Sequence, residues 1–336
     1  MKYGKVTDNH NKMHTKNLIF ILSLFLITSC QKVIEFNGPV TDPIVVVNSL
    51  VTPNAVVKVV LSKSRFFLSN DTLFSMIDTA TVSLFVNGAM KETLNHTSNG
   101  TFLSTYKPVV GDSIRLQVQV PGKNMITCST GIVSQVKFVS IDTSTVMNGP
   151  DMPIISVSVP TNGGLPVIDT IGTSIGRKMK LVLKFNDDPA NRNYYRLVVY
   201  TKTNTGAKTI NDYTFSFDDI VSGNTGNDTI GPPSSLATNK FNVFNDDLIN
   251  GKQYPLKFSV ADNIDVYKPG KAPLILKKEL YVDLQSISRE YYLYLQTRSN
   301  ARNNNFFSEP VQVYTNIDGG IGVLGSYTSN LTKIVL

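Results

Sequence analysis

The chain has 336 residues, 41% hydrophobic and 17% charged, with 32 Lys and Arg against 25 Asp and Glu, a net charge of +7 and two cysteines. Apolar content is ordinary for a globular protein, charged residues are somewhat sparse, and the length corresponds to about two domains. The positive charge is scattered, and Lys2, Lys5, Lys12, Lys16 and Asp8 at the start supply three of its seven units, leaving +4 beyond residue 29; no basic block marks a nucleic-acid surface.

The first element is a secretion signal. Lys12, His14 and Lys16 precede an apolar run over residues 18–27, followed by the small residues Thr28 and Ser29 and then Cys30. The run is too short for a bilayer span, which needs about 20 apolar residues. A basic stub, a short apolar stretch, small residues and a cysteine spell a bacterial lipoprotein signal. Residues 1–29 are therefore expected to be removed and Cys30 to carry palmitate-type acyl chains. Each buried methylene adds about 0.8 kcal/mol, and two or more chains anchor stably. The competing reading, a buried cysteine closing a core helix, accounts for neither the basic stub nor the small residues. Translation starts at Met1 or Met13. Gln31 is not the Asp of inner-membrane retention, so the expected location is the outer membrane, lipid-anchored, with the periplasmic face and the cell surface both open.

Residues 30–43 read as a tether with Pro39 and Pro43. Short β-type segments follow at 44–47, 56–61 and 82–86. Asn87-Gly88 signals a hairpin, because both residues accept positive φ at low cost. Residues 114–120 alternate strictly, with Ile114, Leu116, Val118 and Val120 on one face and Arg115, Gln117 and Gln119 on the other, the pattern of a strand with one wet face. Such spacing predicts an Ig-like β-sandwich over 44–135. Cys128 falls on a strand at 124–129 as an inert, half-buried thiol, and with Cys30 acylated no internal disulfide is available.

A second β-rich domain is expected over 136–336. Residues 147–176 are turn-rich. Strands are expected at 179–185 and 194–200 around a loop at 186–191, and again at 254–260 and 279–284. Residues 201–240 read as polar loops. One helix is expected over about 286–302, capped by Ser286 or Ser288, with Glu290 in its first turn. Ile287, Tyr291, Tyr294, Leu295 and Arg298 share one stripe, with Tyr292 and Gln296 facing elsewhere. The tyrosine cluster reads as helix-on-sheet packing before a ligand-stacking platform. Residues 303–305 end the helix, and 311–314 return as a strand. The fold class is mainly β.

The chemistry-bearing motifs are few. Gly320-Ile321-Gly322-Val323-Leu324-Gly325 matches the dinucleotide fingerprint in letters, but the fingerprint needs a following helix and an acidic residue about 20 positions on, and this segment reads instead as a terminal turn with close backbone packing. His96 is the one histidine left beyond the signal and reads as a turn residue, so no nucleophile–base constellation or zinc site can be assembled. The pairs Asp187-Asp188, Asp218-Asp219 and Asp246-Asp247 suit calcium or a glycosidase acid pair on composition, but without calcium-loop spacing they read as capping groups of turns. No cofactor is expected.

The segments 244–254, 284–295, 307–311 and 316–325, with Asp187-Asp188-Pro189 ahead of Tyr194-Tyr195 and the openings 43–46 and 59–64, resemble a Bacteroidota outer-membrane lipoprotein family, "domain of unknown function 4249". The resemblance covers nearly all of the chain after Cys30. It implies a two-part, mostly β lipoprotein, often encoded beside TonB-dependent outer-membrane receptors, and it carries over no catalytic residues. The functional expectation is a non-enzymatic accessory or ligand-binding subunit of a TonB-dependent receptor, held to the membrane by lipid on Cys30. The second reading is a stand-alone surface structural or adhesion lipoprotein, and the third a carboxylate-dependent glycan hydrolase.

Overall fold

The computed structural model describes residues 42–65, 73–161, 163–203, 208–210, 213–214, 219–222, 239–261, 263–271, 278–302 and 312–335. Cys30, the signal, the tether up to residue 41, Asp218, residues 303–305 and most of 201–240 lie outside them. Among the described residues no helix is long and apolar enough to cross a membrane.

The protein is mainly β, with several sheets and one long helix towards the C-terminus. The first part contains β1 (Val45–Val51), β2 (Lys58–Lys63), β3 (Thr81–Val86), β4 (Ala89–Thr93), β5 (Asn95–His96), β6 (Thr101–Leu103), β7 (Ser113–Gln119) and β8 (Ile126–Gly131). The alternation of β7 buries Ile114, Leu116 and Val118 completely and leaves Arg115, Gln117 and Gln119 partly wet. Asn87 and Gly88 turn the β3–β4 hairpin at φ of 51° and 86°, as the turn requires. Cys128 is buried on β8, and burial pushes its thiol up to about 12. His96 is on the edge strand β5 rather than in a turn, paired with Phe102 of β6; Asp78 fixes it at 2.7 Å.

The second part contains β9 (Lys137–Met147), β10 (Met152–Ser158), β11 (Val167–Ile175), β12 (Arg177–Asn186), β13 (Tyr194–Thr203), β14 (Lys208–Ile210), β15 (Tyr213–Thr214), the one-turn helix α1 (Asp219–Ser222), β16 (Val243–Asn245), β17 (Gln253–Ala261), β18 (Ile264–Tyr267), β19 (Lys278–Ile287), α2 (Arg289–Arg302) and β20 (Ile321–Val335). The turn-rich stretch 147–176 is thus not a loop: it folds into the hairpin β10–β11, which β18 extends to three strands. Its Gly and Pro content obscured an alternation that the backbone follows. Residues 312–314 are irregular rather than a strand.

The Gly320–Gly325 segment is likewise not a turn. It opens β20, the longest strand. Residues 321–326 run parallel to β1 and residues 327–335 antiparallel to β19, so one strand belongs to both halves of a nine-stranded sheet. The sheet β4-β3-β7-β8 supplies the other core residues of the first half, and β15-β17-β12-β9 those of the second. Gly322 has φ of +117°, and a side chain there would run into the Val47 carbonyl. At Gly325 an added Cβ would stand 2.7 Å from Tyr291 Cβ, so the glycine lets α2 lie on the sheet.

The helix buries Tyr291, Tyr292, Leu295 and Ser299. Ile287, Tyr291 and Leu295 of the expected stripe are buried, while Tyr294 is half-buried and Arg298 exposed, their places on the buried face taken by Tyr292 and Ser299. Tyr292 packs on Tyr194 with centroids 4.8 Å apart, and Tyr291 Oη accepts from Arg196 Nη1 at 2.9 Å. The tyrosines are packing groups. Ser288 is the cap: its Oγ accepts from the Tyr291 amide at 3.4 Å and the Ser326 amide at 3.1 Å.

Candidate functional site

Four segments meet in a cleft of about 670 Å³. One wall is the turn at Val110 and Gly111. The second is the connection Gly131, Ile132, Val133 and Ser134, and the third is the loop from Asn191 to Tyr194. The floor is the strand–helix junction from Ser286 to Glu290.

Each wall is fixed by buried polar groups. Asp112 holds the first turn. Its Oδ2 accepts from the Val109 amide (2.9 Å) and Tyr106 Oη (2.8 Å), and its Oδ1 from Asn87 Nδ2 (2.9 Å). These bonds, the Val109 amide foremost, hold its carboxyl below the usual carboxylate range. The connection is laid along β20 by side chains two residues apart: Ser326 donates to the Gly131 carbonyl, Thr328 to Ser134 and Asn330 to Val136.

The third wall depends on the paired aspartates, which the structure gathers instead of scattering. Asp187 is buried and accepts from Tyr195 Oη at 2.5 Å and from the Gly251 amide at 2.8 Å. Burial first, and then Asp187, push the Tyr195 hydroxyl far above its ordinary range. Asp246 is buried and accepts from the Asn193 amide at 2.7 Å; burial is the main reason that its carboxyl is raised. Asp247 takes Arg192 Nη2 on both oxygens, at 2.8 and 2.9 Å. Asp188 closes a local turn through the Ala190 amide at 3.1 Å. The loops at 187–193 and 246–252 are thereby stapled to each other. No group of three or more metal-ligating side chains occurs among the described residues.

The cleft itself presents two guanidinium groups, Arg192 and Arg289, and one carboxylate, Glu290. Arg289 is exposed and makes no ion pair among the described residues. Glu290 Oε2 accepts from Thr130 Oγ1 at 3.0 Å, tying the helix start to β8. Val110, exposed, and Val133, half-buried, add apolar surface. This combination suits a ligand or peptide segment that is partly apolar and carries an acceptor or negative charge for the arginines. The sequence reading passed over Arg192 and Arg289. The available signal was their position, Arg289 inside the segment 284–295 that carries the resemblance and Arg192 between Asp187-Asp188-Pro189 and Tyr194-Tyr195.

The family model described as "Domain of unknown function (DUF4249)" matches residues 31–332, and the chain belongs to this family. No curated protein matches the chain. Of the segments carrying the resemblance, 187–195 and 284–295 supply lining residues of this cleft and 244–254 braces its third wall, while 43–46, 59–64 and 316–325 run through or beside β1, β2 and β20, and 307–311 lies outside the described residues.

Proposed function

We propose that the chain is a lipid-anchored protein of the cell envelope that binds through the cleft, without catalysis, as an accessory subunit of a TonB-dependent outer-membrane receptor. The observation that carries this reading is the meeting of three of the family segments, 187–195, 244–254 and 284–295, at one arginine-bearing cleft. The buried aspartates nearby spend their oxygens on backbone and tyrosine donors, the expected use of carboxylates in a binding scaffold. The signal ending at Cys30 supports the anchor, and the family resemblance supports the receptor as partner.

The anchor is tested by fractionation. Wild-type protein is expected in the outer membrane, with an intact mass that includes diacylglycerol and an acyl chain on Cys30. Cys30→Ser is expected in the soluble fraction at unmodified mass. An unchanged mass and location for the wild type and Cys30→Ser would remove the anchor from the proposal.

A further inference from the structure

The three-stranded arm β10–β11–β18 has two unlike faces. Along the first strand the sequence alternates Ile155-Ser156-Val157-Ser158-Val159. The register pairs Val157 with Ile168 and Ile155 with Thr170, so these share one face, while Ser156 pairs with Asp169 on the other. The second face carries the Asp169–Lys271 ion pair at 3.3 Å, Ser156, Ser158 and one exposed aliphatic residue, Val167. The first is aliphatic yet open: Ile155 is 55% exposed, Val157 56% and Ile168 67%, with Val159 at 70% just past the strand end. Period-two alternation belongs to strands that bury one face, and here that face is covered by nothing among the described residues.

We propose that this face is covered by a second copy of the chain, the two arms stacking apolar face to apolar face about a two-fold axis. Three observations favour this occupant. The aliphatic side chains leave on the order of 400 Å² open per copy, close to the apolar share of the roughly 800 Å² that one partner gives a standard interface. The segment from Met152 to Ile168 contains no charged residue, so its self-pairing meets no like-charge repulsion, as an isologous contact requires. It also contains no Trp, Tyr or Phe, the groups that fix a hairpin in a lipid interface. Two such sheets pack about 10 Å apart. The arm leaves the second sandwich where Met147 pairs with Arg177, roughly 35 Å along β9 from the cleft end, so dimerisation leaves the cleft open.

The test is the molar mass of the native protein in detergent by light scattering, with cysteine crosslinking in native membranes. The protein is expected at twice the mass of the processed, lipidated chain from Cys30 onward. Val157→Asp, on an exposed site, is expected to raise the dissociation constant by about tenfold or more at unchanged melting temperature. Ser156→Asp, on the opposite face, is expected to leave the dimer intact. Val157→Cys is expected to be joined into a dimer by a bismaleimide long enough to span the roughly 10 Å between stacked sheets, and Ser156→Cys not, with Cys128 silent in both. A monomer up to the solubility limit overturns the proposal. So does flotation of a monomer with phospholipid vesicles that Val157→Asp abolishes, because the occupant is then a lipid surface.

Discussion

The hydroxyl of Tyr195 reaches Asp187 where both side chains are buried, so removing one leaves the other short of a partner. Tyr195→Phe is expected to cost about 1–3 kcal/mol in denaturant unfolding. Asp246 and Asp112 carry opposite signs. A carboxyl raised in the fold, such as Asp246, stabilises below its ordinary value of 3.8 and loses that contribution as pH rises through the folded value. Asp112, held below 3.8, stabilises at neutral pH and loses its contribution as pH falls through its folded value. Asp246→Asn keeps an acceptor for the Asn193 amide, so its melting temperature at neutral pH is expected to equal or exceed wild type. Asp112→Asn is expected to melt lower at neutral pH and to converge on wild type in acid. Cys128 is expected to resist thiol reagents until unfolding, in a chain beginning after Cys30. The sequence revealed aspartates suited to satisfying turn amides. It did not reveal that Asp187 and Asp246, 59 positions apart, fasten each other's loops, because nothing local encodes that contact.

At the scale of elements, β20 carries the most information. Its glycines were legible as sites of close packing, but not as a strand, because the partner that makes them one is β1, at the other end of the chain. Gly325→Val is expected to push Tyr291 off the sheet and cost about 1–3 kcal/mol as overpacking, with loss of the near-ultraviolet tyrosine signal while far-ultraviolet β content persists. Ser288→Ala is expected to cost about 1 kcal/mol as a lost cap. The strands with strict alternation, β7 and β12, were readable to within a residue or two. Helix α2 was readable in place and, at Ile287, Tyr291 and Leu295, in phase, but the sheet beneath it selects Tyr292 over Tyr294 at the edge of the stripe. The arm was missed: its alternation sits among Gly, Pro and Thr, and an apolar face without an intramolecular partner leaves no second segment to read it against.

At the scale of the molecule, two hydrophobic cores lie on either side of residues 132–136, yet β20 pairs with strands of both halves and its side chains hold the connection between them. The halves are therefore expected to melt in one transition, with equal calorimetric and van't Hoff enthalpies; two separated transitions would show that the shared strand does not couple them. The same side chains of β20 lay the connection 131–134 along one wall of the cleft, so the proposed binding site depends on the shared strand. The measurement that tests the central claim most directly is affinity capture of the tagged, lipidated protein from detergent-solubilised native membranes, with mass spectrometry of what co-purifies. The expected result is a TonB-dependent receptor in stoichiometric amount, lost from the Arg289→Glu variant at unchanged melting temperature. Recovery of the protein without any receptor, or equal recovery with the cleft variant, would contradict the account.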